Sequence, residues 1–72
     1  MKSYYIKADT PVSVYTSKTQ EATDEELKQL EDVMKQIAEK GSYFTMKDDD
    51  DNQVILPTGV ITNTVFTIVV YK

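Results

Sequence analysis

The sequence predicts an α+β domain in which a single amphipathic helix packs on one face of an antiparallel sheet of four or five strands. Three observations predict this fold. A helical pattern with a cap at each end spans residues 24–40, runs of β-branched and aromatic residues lie on both sides of it, and turn-forming residues separate those runs. The expected element order is ββαβββ, within one domain of residues 1–72.

The helix is marked at both ends. Thr23 stands at the N-cap position and Glu26 follows three residues later, so a capping box predicts that the helix begins at Asp24. Lys40 in the last turn and Gly41 after it match the preferences of helix C-termini. The apolar residues recur at helical spacing and form one stripe, made of Leu27, Leu30, Val33, Met34, Ile37 and Ala38.

Two short strands are predicted before the helix and three after it. Residues 4–8 and 12–16 should form a hairpin, in which Val12 and Val14 face the core. Three further runs follow the helix, with turn formers between them, and should form an antiparallel meander. These runs are residues 42–47, Gln53–Leu56 and residues 60–71.

The last predicted strand is apolar on both faces. One face carries Val60, Phe66, Ile68 and Val70, and the other carries Ile61, Val65, Val69 and Tyr71. Such a strand is an aggregation hazard at an open edge, so we expect it to lie centrally in the sheet or beneath a partner. Because one helix covers only one face, the second face should be covered by another copy of the chain or by a loop, and we expect a homodimer. The predicted oligomer face is Ile61, Val65, Val69 and Tyr71.

Composition argues against catalysis. The chain has no His, Cys, Arg or Trp, and therefore lacks the usual neutral-pH base, the strongest nucleophile and the common soft metal ligands. We expect no enzymatic activity, no cofactor and no metal. A net charge of −4 with scattered lysines disfavours binding to nucleic acid or to anionic membranes.

Four consecutive acids at positions 48–51 are the most conspicuous local feature. Asp48, Asp50 and Asn52 copy the opening spacing of a calcium loop. The copy fails at Gln53, where such a loop needs glycine, and at Gly59, where it needs glutamate. The run is therefore interpreted as a solvated hairpin tip.

Two functional hypotheses follow. The first is a small acidic, non-catalytic protein, an inhibitor or accessory factor, that binds another protein. Its predicted contact residues are Glu25, Asp32, Glu39, Asp48, Asp49, Asp50 and Asp51. The alternative is a small-ligand binding or sequestering protein with a pocket at a subunit interface, where some of the five tyrosines stack on the ligand; ordinary sheet packing also explains these tyrosines.

Location and origin rest on composition. The absence of cysteine, of a leader-like apolar run in residues 1–7 and of any stretch of about 20 apolar residues predicts a cytoplasmic protein. Lysine without arginine, together with many Ile, Asn, Tyr and Asp residues, indicates an AT-rich coding sequence and favours a low-GC bacterium or its phage.

Overall fold

The computed structural model describes residues 1–71 and confirms the α+β fold. One antiparallel sheet holds four strands, and two further strands form a separate hairpin. In chain order the elements are β1 (Lys2–Asp9), β2 (Val14–Thr16), β3 (Gln20–Ala22), α1 (Asp24–Lys40), β4 (Phe44–Lys47), β5 (Gln53–Leu56), α2 (Thr58–Ile61) and β6 (Val65–Tyr71).

β1 is the central strand of the main sheet. β6 pairs along one of its edges, from Ser3 opposite Tyr71 to Asp9 opposite Val65. β2 and β3 each pair with one half of the other edge. Between them the buried Ser17 keeps contact with β1, since its N–H donates to the Ile6 carbonyl at 2.8 Å and its Oγ accepts from the Ile6 N–H at 2.7 Å. β2 and β3 therefore act as one interrupted strand.

The predicted meander is wrong in its last step. β4 and β5 pair as expected, but β6 leaves them and pairs with β1. Residues 60 and 61 do not begin the last strand, because Pro57 opens the helical turn α2 and β6 starts only at Val65. The Thr64 hydroxyl donates to the Val60 carbonyl at 2.6 Å and supports this turn. The chain is thereby redirected from β5 toward β1.

The predicted helix is confirmed at both ends. The Glu26 N–H donates to the Thr23 hydroxyl at 3.2 Å, and the Thr23 N–H donates to the Glu26 carboxylate at 2.9 Å, so both halves of the capping box are formed. Gly41 closes the helix in the left-handed conformation, with φ of 66°, and its N–H donates to the Ile37 carbonyl. Local signals alone thus define this element.

The core lies on one side of the main sheet, which we call the inner face. There Ile6 and Ala8 pack with Met34 of α1 and with residues of the hairpin and α2. The buried apolar cluster is Ile6, Ala8, Met34, Met46, Leu56 and Ile61. No helix within residues 1–71 has both the length and the apolar character needed to cross a membrane.

Some apolar side chains that were expected in the core are exposed. Val33 and Ala38 of α1 lie at the two margins of the apolar stripe and face solvent. Val12 and Val14 are also exposed, because Val12 belongs to the turn before β2 and Val14 lies opposite Asp9 on the side of the sheet away from the helix. We call that side the outer face.

Candidate functional site

Three of the predicted contact residues form a line along α1. Glu25, Asp32 and Glu39 are seven residues apart, and this spacing places them on one side of a helix. All three are exposed. No ion pair within residues 1–71 involves any of them. We call these residues the acidic stripe.

The other acids near the stripe have partners. Asp24 pairs with Lys2 of β1 at 2.8 Å, and Glu31 pairs with Lys35 one turn later at 3.5 Å. The hydrogen bond from Lys2 and its positive charge lower the pKa of the Asp24 carboxyl. The stripe residues therefore differ from their neighbours in having their carboxylates free for another molecule.

Residues 48–52, which we call the acidic tip, form an ordered turn between β4 and β5. The Asp48 carboxylate accepts hydrogen bonds from the N–H groups of Asp50 at 3.0 Å and Asn52 at 2.9 Å. Asp51 adopts a left-handed φ of 64° and forms ion pairs with Lys18 at 3.3 Å and Lys47 at 3.7 Å. The carboxylates of Asp48 and Asp51 are thus already engaged within the chain.

The remaining acids of the tip, Asp49 and Asp50, are exposed. The tip is held beside the interruption between β2 and β3, where the Lys18 N–H donates to the Lys47 carbonyl at 2.8 Å. The predicted contact residues therefore occupy two separate elements, with the acidic stripe on α1 and the acidic tip on the hairpin. Residues 1–71 contain no group of three or more His, Cys, Asp or Glu side chains arranged to hold a metal ion.

Comparison with known protein families, with curated proteins and with solved structures finds no match to this chain. The function of this chain therefore has to be inferred from the charge, shape and exposed residues of its own surfaces.

The predicted oligomer face divides between the core and the outer face. The prediction that Ile61 lies on the oligomer face is wrong, because this residue belongs to α2 and is only 1% exposed. Val65, Val69 and Tyr71 do share the outer face, where Val65 is 66% exposed and Tyr71 is 43% exposed. The Tyr71 ring lies 6.2 Å from that of Tyr5. These residues form a partly apolar surface on the side of the sheet opposite the helix.

A groove that local sequence patterns did not predict lies between α1 and β6. The groove has a volume of about 300 Å³ and is mostly apolar. It is lined by Glu31, Met34, Lys35, Ala38, Thr64, Phe66 and Ile68. Only the pairing of β6 with β1 brings the last strand beside α1, so this groove depends on a long-range contact that local patterns do not reveal.

Proposed function

We propose that this protein is a non-catalytic interaction module that binds a basic surface of another protein through the acidic stripe. The observation that carries the proposal is the line of exposed carboxylates at Glu25, Asp32 and Glu39, none of which has an ion-pair partner within residues 1–71. Binding therefore requires no internal ion pair to break, which would otherwise offset part of the gain.

A line of carboxylates carries the same sign of charge as a phosphate backbone, at a lower density, because its members are seven residues apart and Lys28 and Lys35 lie between them on the helix. Seven residues of helix rise about 10.5 Å, so the stripe places its charges over roughly 21 Å along one helix face. A basic groove that normally accepts nucleic acid fits such a surface by charge, and the protein would then act as an inhibitor or accessory factor of its partner. Asp49 and Asp50 of the acidic tip are a second contact group. The cytoplasmic location expected from the sequence stays a prediction.

The test is affinity capture from lysate, with neutralised variants compared at equal net charge. Asp32→Asn with Glu39→Gln removes two charges from the stripe, whereas Asp9→Asn with Glu21→Gln removes two exposed charges from the sheet. The stripe variant should lose the captured partner and the sheet variant should keep it. A third variant, Asp49→Asn with Asp50→Asn, measures the contribution of the tip.

Salt and nucleic acid provide the second readout. Capture at about 50 mM salt should be reversed near 500 mM, because exposed charge pairs are screened. Added DNA should displace the protein from a partner whose basic groove binds phosphate. Equal retention of the wild type and all three variants, or retention that salt does not reduce, would contradict the proposal.

The groove between α1 and β6 supports ligand binding as the alternative function. Its volume of about 300 Å³ lies at the lower end of the range for small-molecule sites, and its lining combines Met34, Phe66 and Ile68 with the charged Glu31 and Lys35. No tyrosine lines it, so the stacking expected from the sequence would fall to Phe66. Solvent extraction of the purified protein followed by mass spectrometry tests this alternative, which predicts a stoichiometric small molecule.

A further inference from the structure

β6 has a free edge. Within the described chain it pairs only with β1. Ile6 directs its own N–H and C=O toward Ser17, so the pair that it forms with Ile68 of β6 is not hydrogen-bonded. In an antiparallel ladder such pairs alternate with hydrogen-bonded ones. The backbone groups of Phe66, Ile68 and Val70 therefore point away from β1.

We infer that this edge binds β6 of a second copy, antiparallel to the first, about a two-fold axis at Ile68. The outward groups are arranged symmetrically about Ile68, because Phe66 and Val70 each lie two residues from it. Ile68 then pairs with Ile68 of the second copy, and Phe66 pairs with Val70 of the second copy in both directions. Each hydrogen-bonded pair exchanges two bonds, so every outward N–H and C=O of these residues is satisfied by an identical strand.

The same register places exposed side chains of the outer face beside side chains of the second copy. Val65, which is 66% exposed, comes opposite Tyr71 of the second copy, and Thr67 comes opposite Val69. These are non-hydrogen-bonded positions, where side chains are closest, so the β-branched Thr67 and Val69 gain a favourable contact. The Tyr71 ring stays over β1, beside Tyr5, with its hydroxyl 2.9 Å from that of Thr19. Val65, Val69 and Tyr71, which were predicted to belong to an oligomer face, thus lie at the dimer contact. They do so through pairing of strand edges rather than through stacking of sheet faces.

Charge favours this edge for self-association. Two copies with a net charge of −4 repel each other, but β6 carries no charged residue between Val65 and Tyr71. In the neighbouring groove the two charged lining residues, Glu31 and Lys35, form an ion pair at 3.5 Å and compensate each other. A second copy that pairs along β6 therefore brings no charged side chain of that strand against another.

Pairing at this edge stops at two copies. The opposite edge of the sheet consists of β2 and β3, which have three residues each and are interrupted at Ser17. The Lys18 N–H in that interruption is already bonded to β4. Short and broken edges resist strand addition, so a dimer closed by a two-fold axis is expected rather than a fibre.

The dimer should be weak. A seven-residue strand is about 23 Å long, so the contact is confined to one short sheet edge. Stable complexes bury about 800 Å² per partner, which places this contact among reversible associations with a Kd in the micromolar range or above.

Sedimentation equilibrium of the wild type and two proline variants tests the inference. Val70→Pro removes an outward N–H from a side chain that is 44% exposed, and edge strands tolerate proline. It should raise the Kd for dimerisation at least about tenfold while the circular dichroism of the monomer is kept. Val69→Pro is the matched control, because the Val69 N–H points toward β1; it should lower the melting temperature of the monomer. A wild type that stays monomeric up to about 1 mM, or one that forms open-ended aggregates, would overturn the inference.

Disulfide trapping tests the register without relying on proline. The chain has no cysteine, so introduced thiols are the only ones. The double variant Thr67→Cys with Val69→Cys places each thiol opposite its counterpart in the second copy, at a Cα separation near 4.5 Å that a disulfide spans. Under mild oxidation it should form covalent dimers at least about tenfold faster than either single variant. Equal rates, or no covalent dimer, would contradict the proposed register.

Dimerisation at β6 and partner binding at the acidic stripe are independent, and they should depend on salt in opposite directions. Raising salt from about 20 mM to 500 mM should tighten dimerisation, because it screens the repulsion between like-charged copies. The same change should weaken binding of the acidic stripe to a basic partner. Either result can fail while the other holds.

Discussion

At the scale of single residues, the start of α1 is governed by Thr23 and Glu26. The Glu26 carboxylate accepts the Thr23 backbone N–H, and this bond, with a smaller contribution from the Thr23 hydroxyl beside the carboxylate, lowers the pKa of the Glu26 carboxyl. A lowered folded-state pKa means that the cap contributes stability above the usual glutamate pKa of about 4.3 and loses it as the pH falls through the lowered value.

The variant Glu26→Gln keeps an oxygen acceptor but does not titrate. At pH 7 its urea midpoint should lie below that of the wild type, and the difference should shrink steadily as the pH falls below about 4. Urea titrations at a series of pH values measure this difference. Glu39→Gln is the control, since Glu39 lies in the last turn and has no capping bond to lose. A difference that stays constant with pH would contradict the assignment of the cap.

The two glycines differ in what they contribute. Gly41 has a φ of 66°, and a Cβ there would lie 3.4 Å from the methyl carbon of Thr62. Gly41→Ala should therefore destabilise the protein by about 1 kcal/mol. Gly59 lies within α2, has no such φ and has open space around its Cβ position, so Gly59→Ala should be neutral or slightly stabilising. Thermal denaturation measures the change in stability of both variants. Equal decreases in melting temperature would contradict the different roles of the two glycines.

At the scale of elements, the sequence predicted α1 to the residue but not the partner of β6. The bounds of the helix are determined by residues close together in the sequence, from the capping box at Thr23 to Gly41. Local interactions are therefore enough to predict where it begins and ends. The pairing of β6 with β1 joins the two ends of the chain, and no local pattern encodes it. β3 was missed because its sequence, Gln-Glu-Ala, has no apolar alternation.

The same contrast applies to the candidate sites. The acidic residues could be found from sequence because charge runs and seven-residue spacing are visible there. The free edge of β6 could not be found, because its exposure depends on which strand becomes its neighbour. The alternation of Val60 and Ile61 with the strand that follows was misleading, since Pro57 and the Thr64 hydroxyl hold those residues in a helical turn instead.

Substitution of Ile61 tests whether this residue is buried in α2 or exposed on β6. Ile61 is the largest fully buried side chain of the described residues, so Ile61→Ala should cost about 2 to 5 kcal/mol through lost packing and a residual cavity. Val65→Ala should cost less than about 1 kcal/mol in the monomer, because Val65 is 66% exposed. Urea denaturation at low protein concentration compares the two. Similar decreases in the free energy of unfolding would indicate that Ile61 is exposed on the last strand, as the sequence pattern predicted.

The acidic tip is an element with a single organising side chain. Asp48 is half-buried and its carboxylate accepts two backbone N–H groups, so Asp48→Ala should destabilise the protein by about 1 kcal/mol. Asp49→Ala, at an exposed neighbouring position, is the control and should change stability little. Denaturation midpoints measure both effects. A larger loss at Asp49 would mean that a different residue organises the turn.

At the scale of the whole molecule, stability depends on joining the chain ends. β1 and β6 supply most of the inner face of the sheet, and about 60 residues separate Lys7 from Thr67, which lie directly opposite each other. Closing so long a loop is slow and costs entropy in the unfolded chain. A covalent link at this pair should therefore remove a large part of that entropy.

The variant Lys7→Cys with Thr67→Cys makes this link at two exposed positions of a hydrogen-bonded pair, where the Cα separation of about 5.5 Å suits a disulfide. The oxidised form should be more stable than the reduced form of the same protein by about 4 kcal/mol, as the chain-entropy relation gives for a loop of this length. The reduced protein is its own control, because both forms carry the same substitutions. Paired urea titrations with and without reductant give the difference. Failure of the disulfide to form within the monomer, or an oxidised form no more stable than the reduced one, would show that β6 does not lie against β1 in this register.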